Sequence, residues 1–487
     1  MCIMEFTPEK TSSKTYLILR CLCLISAVVV FTGCASTSIF IPYPAQASAY
    51  KTALNTASLE ASLNKLKKHR NSADKVLYMM ESGRLNQLDN NFDESLNDFS
   101  TVIENFQLQD DKAKFTATGS ARMGAAFLAN DNAIPYKGEG YERVMVHHYQ
   151  ALNYLAKGDR QAALVEVRRA NLEQTLALEK HERDLADAEK EASNNRIKTN
   201  PSQYDSYFST MEQASSQVKS SFQNAYTFYL SGLIYEANGD YNDAYIDYKK
   251  AWEIFPENPY LQDDLLRLAR QLGMRDDLQR FQKSFKSEPL KITKNTEALP
   301  SADTGTLVIF YEHGFVPEKR EISVPLFTSQ GLQSVSFPVY QQPWFQPRPL
   351  KLVVGDTRLE SSPIVFTSAL AVKALQEKLP GMIIRQTIRA IAKKELQNQA
   401  NEANALLSLS TQIYNLVSER ADLRSWLTLP NDVQIARLAL EAGQKHAIQL
   451  APASQSDKVE IDIKPGQIII LKVTDTGARL IKQVFIL

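Results

Sequence analysis

Asp422, Arg424 and Trp426 place an acid, a guanidinium and an indole within five residues, ahead of a strand-like stretch, and such a cluster can bind or polarise a polar substrate. The same three residues describe a capping acid, a structural ion pair and a core aromatic, and that is the reading adopted. Glu312-His313 beside Gly314 is a weaker candidate. Of the six histidines, only His147 and His148 are adjacent, and neighbours on a helix point about 100° apart, which does not suit a shared metal. No Gly-Xaa-Ser-Xaa-Gly elbow, His-Glu-Xaa-Xaa-His helix, P-loop or dinucleotide-binding glycine fingerprint occurs. The expectation is a non-enzymatic protein with no catalytic residue, metal or cofactor.

The elements that would position a binding surface come from an internal repeat. Windows starting at Gly83, Ala151 and Gly232 align on Asn90, Gly158 and Gly239 at the turn. They continue through Ser95, Ala163 and Ala244, then Phe99, Val167 and Tyr248, then Val102, Ala170 and Ala251. Small residues in both helices permit close approach, and the turn positions tolerate a left-handed helix end. The third window, from Ala225 to Pro256, resembles a tetratricopeptide (TPR) repeat through Phe228, Gly232, Tyr235, Gly239-Asp240-Tyr241, Ala244, Tyr248, Ala251 and Pro256. The first two match less fully. The resemblance implies a concave face that takes a peptide or partner helix, with Arg84 and Gln87 in the first copy, His148 and Leu152 in the second, and Tyr229, Leu233 and Glu236 in the third. Inserted helices covering that face are the competing expectation.

Between copies, a helix over Phe115 to Leu128 is expected. The second-copy helix runs on to Asn194-Asn195 with an apolar seam through Leu178, Leu185 and Ala192, suited to an antiparallel partner in Tyr204 to Phe222. Residues 287–305 read as a linker, after which the hydrophobic period becomes 2. Strands are expected at 306–311, 321–326, 334–340, 350–354, 433–440, 446–450, 459–463, 468–473 and 480–486. Helical sequence at 366–421, broken at Pro380-Gly381, interrupts them. The predicted fold class is α+β and multidomain: a helical repeat domain over 49–286, then a β-sandwich-like domain over 306–487 with a helical insertion.

All four cysteines lie in the first 34 residues. Lys10, Lys14 and Arg20 precede an apolar run ending in Phe31-Thr32-Gly33-Cys34-Ala35-Ser36, which resembles the lipobox of bacterial lipoproteins. That resemblance implies a signal peptide over 1–33, a lipidated tether over 34–48 with Cys34 acylated, and, with Ala35 following, the periplasmic side of the outer membrane. Stretches 130–142, 307–320 and 420–437 resemble an uncharacterised family of bacterial outer-membrane lipoproteins with TPR-like repeats, which implies an envelope partner, with the cell-wall synthesis machinery as a weak hint. Balanced charge, with 55 Lys+Arg against 55 Asp+Glu, argues against a nucleic-acid partner. Two functions are expected in that order: a TPR-type protein-interaction scaffold held to the membrane by lipid, or an envelope enzyme or carbohydrate-binding module with its site in the strand-rich half. A polar, aromatic-lined cleft in that half would favour the second.

Overall fold

A computed structural model of the chain describes residues 41–116, 132, 134–194, 201–285, 303–328, 331–403, 420–452 and 457–487. The signal segment, Cys34, the helix expected beyond Thr116, most of the linker and residues 404–419 of the insertion lie outside the described residues. The chain is mixed: a helical N-terminal part is followed by a strand-rich C-terminal part.

The first six helices are α1 (Tyr43–Thr56), α2 (Glu60–Lys67), α3 (Lys75–Leu88), α4 (Phe92–Thr116), α5 (Gly140–Ala156) and α6 (Arg160–Asn194). A 3-10 helix (Pro201–Met211) leads into the single turn α7 (Glu212–Ser215), then α8 (Ala225–Ala237), α9 (Tyr241–Ile254), α10 (Pro259–Gln271) and α11 (Arg275–Ser284). Residues 43–48, expected in the tether, are the first turns of α1, because Tyr43 and Ala47 bury against the helices that follow.

Three hairpins, α3/α4, α5/α6 and α8/α9, reverse through Asn90, Gly158 and Gly239 at φ of 62°, 76° and 83°. Their packing repeats in register. A Cβ on Gly83 would sit 2.7 Å from the Phe99 ring, and one on Gly232 would sit 2.4 Å from Tyr248. One residue earlier on each inner helix, Ser82 donates to Asp98 and Ser231 to Asp247, both at 2.6 Å. A fourth hairpin, α10/α11, was not anticipated, although Asn258 caps α10 by accepting from the Leu261 amide and Gly273 turns the chain at φ 70°.

The partner of the long α6 is not 204–222, where the 3-10 helix ends at Met211, α7 adds a single turn and the rest is irregular; α12 (Thr367–Ala403), the helical insertion, packs along α6 instead. The expected break at Pro380 is absent. Proline there removes one helical hydrogen bond at a cost of ~3 kcal/mol, and burial of Leu375, Leu379, Ile383 and Ile384, at roughly 1.5–3 kcal/mol each, more than offsets it.

The strands are β1 (Thr304–His313), β2 (Arg320–Thr328), β3 (Gly331–Val339), β4 (Lys351–Val354), β5 (Thr357–Glu360), β6 (Ser362–Val365), β7 (Asp432–Glu441), β8 (Lys445–Ala451), β9 (Asp457–Asp462), β10 (Ile468–Asp475) and β11 (Leu480–Ile486). All nine expected strands are present. The extra two, β5 and β6, are four residues long and carry too little alternation to be read from sequence. They form a five-stranded sheet β11-β10-β1-β7-β6, a hairpin β2-β3 and a four-stranded sheet β5-β4-β8-β9. In the first sheet β1 is parallel to β10 and antiparallel to β7.

That sheet docks on the inner helices. Phe310 of β1 meets Tyr226 of α8 edge-on at 4.9 Å, Asn258 at the N-cap of α10 donates to the Ser362 and Pro363 carbonyls of β6, and Tyr260 of α10 donates to the Glu360 carbonyl at the end of β5. Nothing separates the two parts into independent cores: residues 305–312 of β1 are all buried.

Candidate functional site

The seven residues expected along an open repeat groove are all buried. Arg84 is ion-paired with Glu312 of β1, and Gln87 donates to the Tyr149 carbonyl at 2.9 Å and to Asn153 at 2.8 Å. Leu152 and Leu233 have no exposed surface. The Tyr229 hydroxyl donates to Asp264 at 3.0 Å, and Glu236 accepts from Arg267 and from Arg437 of β7, each at 2.8 Å. Burial pushes the Glu236 carboxyl up, but the two guanidiniums bring it down to about 2. The inner face is therefore covered by the chain's own strands and by α10.

A second element enters the same face. Residues 421–429, which precede β7, carry no regular secondary structure up to Trp426 and turn at 427–429, and carboxylates of the inner helices hold their backbone. Glu142 of α5 accepts the Trp426 amide at 2.7 Å, while Glu81 of α3 accepts the Leu427 amide at 2.9 Å and the Thr428 hydroxyl. Trp426 is buried between Phe99 and Tyr149, with ring centres 5.9 and 5.8 Å away. Arg424 pairs with Asp422 at 2.7 Å and Asp74 at 2.5 Å, which places the Asp422, Arg424 and Trp426 cluster in structure rather than in an open site. Burial raises the Glu81 carboxyl to about 7 despite its hydrogen bonds.

Around Glu312 lies a buried polar cluster. Besides Arg84, Glu312 accepts from Thr474 at 2.7 Å and Tyr149 at 3.1 Å, and Lys472 stands 3.6 Å away. Burial pushes Glu312 up, yet Arg84 and Lys472 hold it at about 2, while burial lowers Lys472 to about 7 against the pull of Glu312. His148, whose ring lies 4.0 Å from that of Tyr226 at a 40° tilt, is brought down to about 3 by burial. Its neighbour His147 meets Glu166 of α6 at 2.7 Å, so the two histidines serve different contacts. No group of three metal-ligating side chains occurs among the described residues, and no described helix is long and apolar enough to cross a membrane.

An open concavity lies elsewhere. A cleft of about 480 Å³ lies at the carboxyl ends of the parallel pair β1 and β10, a position where strand ends present side chains and backbone to a ligand. One wall is the proline-rich segment after β3, with Trp344, Phe345 and Arg348; the floor holds His313, Asn431 and Ser368. Trp344 is fixed edge-on against Phe366 at 5.0 Å, whereas Phe345 is 69% exposed. The buried Asp432 accepts from His313 Nδ1, Asn431 and Gln434, each at 3.0 Å, and that hydrogen bond raises the imidazole above its ordinary value. Asp475 accepts from the Tyr311 hydroxyl and the Gly477 amide, both at 2.8 Å. Ser368 is buried with its hydroxyl unpartnered among the described residues, so it shares the cleft with His313 without a hydrogen bond between them. The arrangement presents aromatic faces and hydrogen-bonding groups that suit stacking and hydrogen bonding of a bound molecule.

His313 was the weak sequence candidate. Trp344, Phe345 and Arg348 were missed, although a segment rich in proline, glutamine and aromatic residues, longer than a hairpin turn needs and without strand alternation, is a legible signal. Compared with models of protein families and with curated proteins, the chain matches none.

Proposed function

We propose that this protein is a non-enzymatic binding module of the bacterial cell envelope, held by acylated Cys34 on the periplasmic side of the outer membrane, with its ligand site in the cleft of the strand-rich part. The observation that carries the reading is the contrast between the two surfaces: the repeat groove is filled by the chain's own β1, β7 and residues 421–429, while the aromatic, polar cleft beside His313 is open. The Cys34 lipobox supports the anchor. The helical part acts as the scaffold that fixes the strands, and we read its hairpins as TPR-type because the Gly83–Phe99 and Gly232–Tyr248 contacts recur at one offset. The five- and four-stranded sheets support a sandwich-like second part.

The test is a photo-reactive phenylalanine analogue placed in intact cells at Phe345 or, as a control, at Leu172, an exposed position on α6. Adducts from position 345 alone are expected. Adducts from position 172 with none from 345 would return the binding role to the helical part.

A further inference from the structure

We propose that the cleft binds an oligosaccharide of N-acetylated amino sugars, with Phe345 and Trp344 as the stacking platform; this rests on the cleft being the ligand site. Its size falls within the range of small-molecule sites, roughly 300–1,000 Å³. Phe345 presents an aromatic face to solvent, and Trp344 beside it is held in one orientation by Phe366. The electron-rich face of such a ring attracts the polarised C–H groups of a pyranose, and a pre-set ring loses little freedom on binding.

The polar side chains of the lining are mainly planar and hydrogen-bonding. Gln342 and Gln346 offer amides, Asn431, whose Nδ2 donates to Asp432, offers its amide oxygen, and Arg348, without an ion-pair partner among the described residues, offers a fork of donors. The buried Ser368 hydroxyl adds one unpartnered group at the floor. Phosphate recognition asks for several free cations, but His313 is committed to Asp432, leaving Arg348. A peptide adding as a strand needs an unpaired edge, yet β1 and β10 both have neighbours on each side. Among sugars, an acetamido group matches the lining best: its methyl suits the rigid apolar rings of Pro317, Pro343 and Pro347, and its amide pairs with the glutamine and asparagine side chains.

The test is titration of the full chain with chitotetraose, read by intrinsic tryptophan fluorescence and calorimetry, with maltotetraose and a proline-rich decapeptide as comparisons. Chitotetraose is expected to bind at millimolar concentration or below and to shift emission, with maltotetraose at least about tenfold weaker. Phe345→Ala and Gln346→Ala, both at exposed positions, should each weaken binding about tenfold with unchanged melting temperature, and Leu172→Ala should have no effect. Equal binding of maltotetraose overturns the acetamido preference, and preferential binding of the decapeptide overturns the saccharide class. Absence of any chitotetraose response overturns the proposal. In that case, adducts from position 345 in cells would leave the cleft as the site, and their absence would remove both readings.

Discussion

Arg84 of α3 and Glu312 of β1 form an ion pair in which neither side chain is exposed, across 228 residues of sequence. Through it, the inner face of the first hairpin and the central strand of the sheet become one core. Two charges taken out of water gain little over an apolar pair, but removing one leaves the other uncompensated. Arg84→Ala should therefore cost about 3–5 kcal/mol in denaturant unfolding, while Arg84→Met with Glu312→Leu should cost much less. Equal losses from the single and double variants would mean that packing, and not charge, joins the two parts.

The same cluster sets an acid sensitivity. His148 is held at about 3 when folded against an ordinary 6.5, so the unfolded chain binds more protons below 6.5 and stability falls as pH drops from there towards 3. Glu312, held at about 2 against 4.5, contributes stability that is present above 4.5 and is lost as pH falls through 2. Glu81, raised to about 7, works in the opposite sense between pH 7 and 4.5, so the histidine is isolated by the difference between His148→Phe and wild type: the variant should lose less stability as pH falls from 6.5 towards 3, with the Glu312 loss below 4.5 still present. Unfolding midpoints measured at intervals across pH 3–8 decide this; an unchanged slope in the variant would locate the sensitivity elsewhere.

Gly232 has no room for a side chain, since its Cβ would lie 2.4 Å from Tyr248. Gly232→Ala should cost about 1–3 kcal/mol through overpacking. Gly239→Ala, with open space around it but φ at 83°, should cost about 1 kcal/mol from backbone strain alone. Pairing each with Tyr248→Leu separates the causes: the first loss should shrink and the second should not.

Much of this was legible because it is local. The offset of sixteen between Gly232 and Tyr248, and the left-handed turns at Asn90, Gly158 and Gly239, follow from helix geometry within one hairpin. Nine strands followed from alternation. What covers the inner face was not legible, because the partners of Tyr229 and Glu236 are Asp264, Arg267 and Arg437, and pairing across such distances leaves no periodic trace. Tyr229 and Glu236 have the same residue types whether they face a foreign peptide or their own sheet. The cleft was missed for a related reason: His313 and Asp432 come from different strands, and only the β1–β7 register makes them neighbours.

Cys34 is the single cysteine after residue 33, so Cys34→Ser should remove lipid from the protein and shift it out of the outer-membrane fraction. Mass spectrometry of the wild-type N-terminus is the direct measurement. An unmodified Cys34 there, with the protein in the soluble fraction, would end the anchored reading while leaving the cleft untouched.

Trp426 distinguishes a structural role from a binding role for residues 421–429. Its ring is fully buried between Phe99 and Tyr149, its indole N–H donates to Thr428 at 3.2 Å, and its backbone amide is held by Glu142. Truncation to alanine removes a large apolar surface and leaves a cavity, so Trp426→Ala should cost about 3–5 kcal/mol, and Trp426→Phe should cost less because a ring still fills most of the space. Arg424→Ala should lose a comparable amount by leaving the buried Asp74 without its guanidinium. Neither side chain lines the cleft, so the fraction that remains folded should bind chitotetraose with wild-type affinity, and any cellular defect should follow protein abundance. Calorimetric titration at low temperature, where the variants stay folded, gives the comparison. Wild-type stability combined with lost binding would show that residues 421–429 belong to the recognition surface and that the inner face of the helices is part of the site.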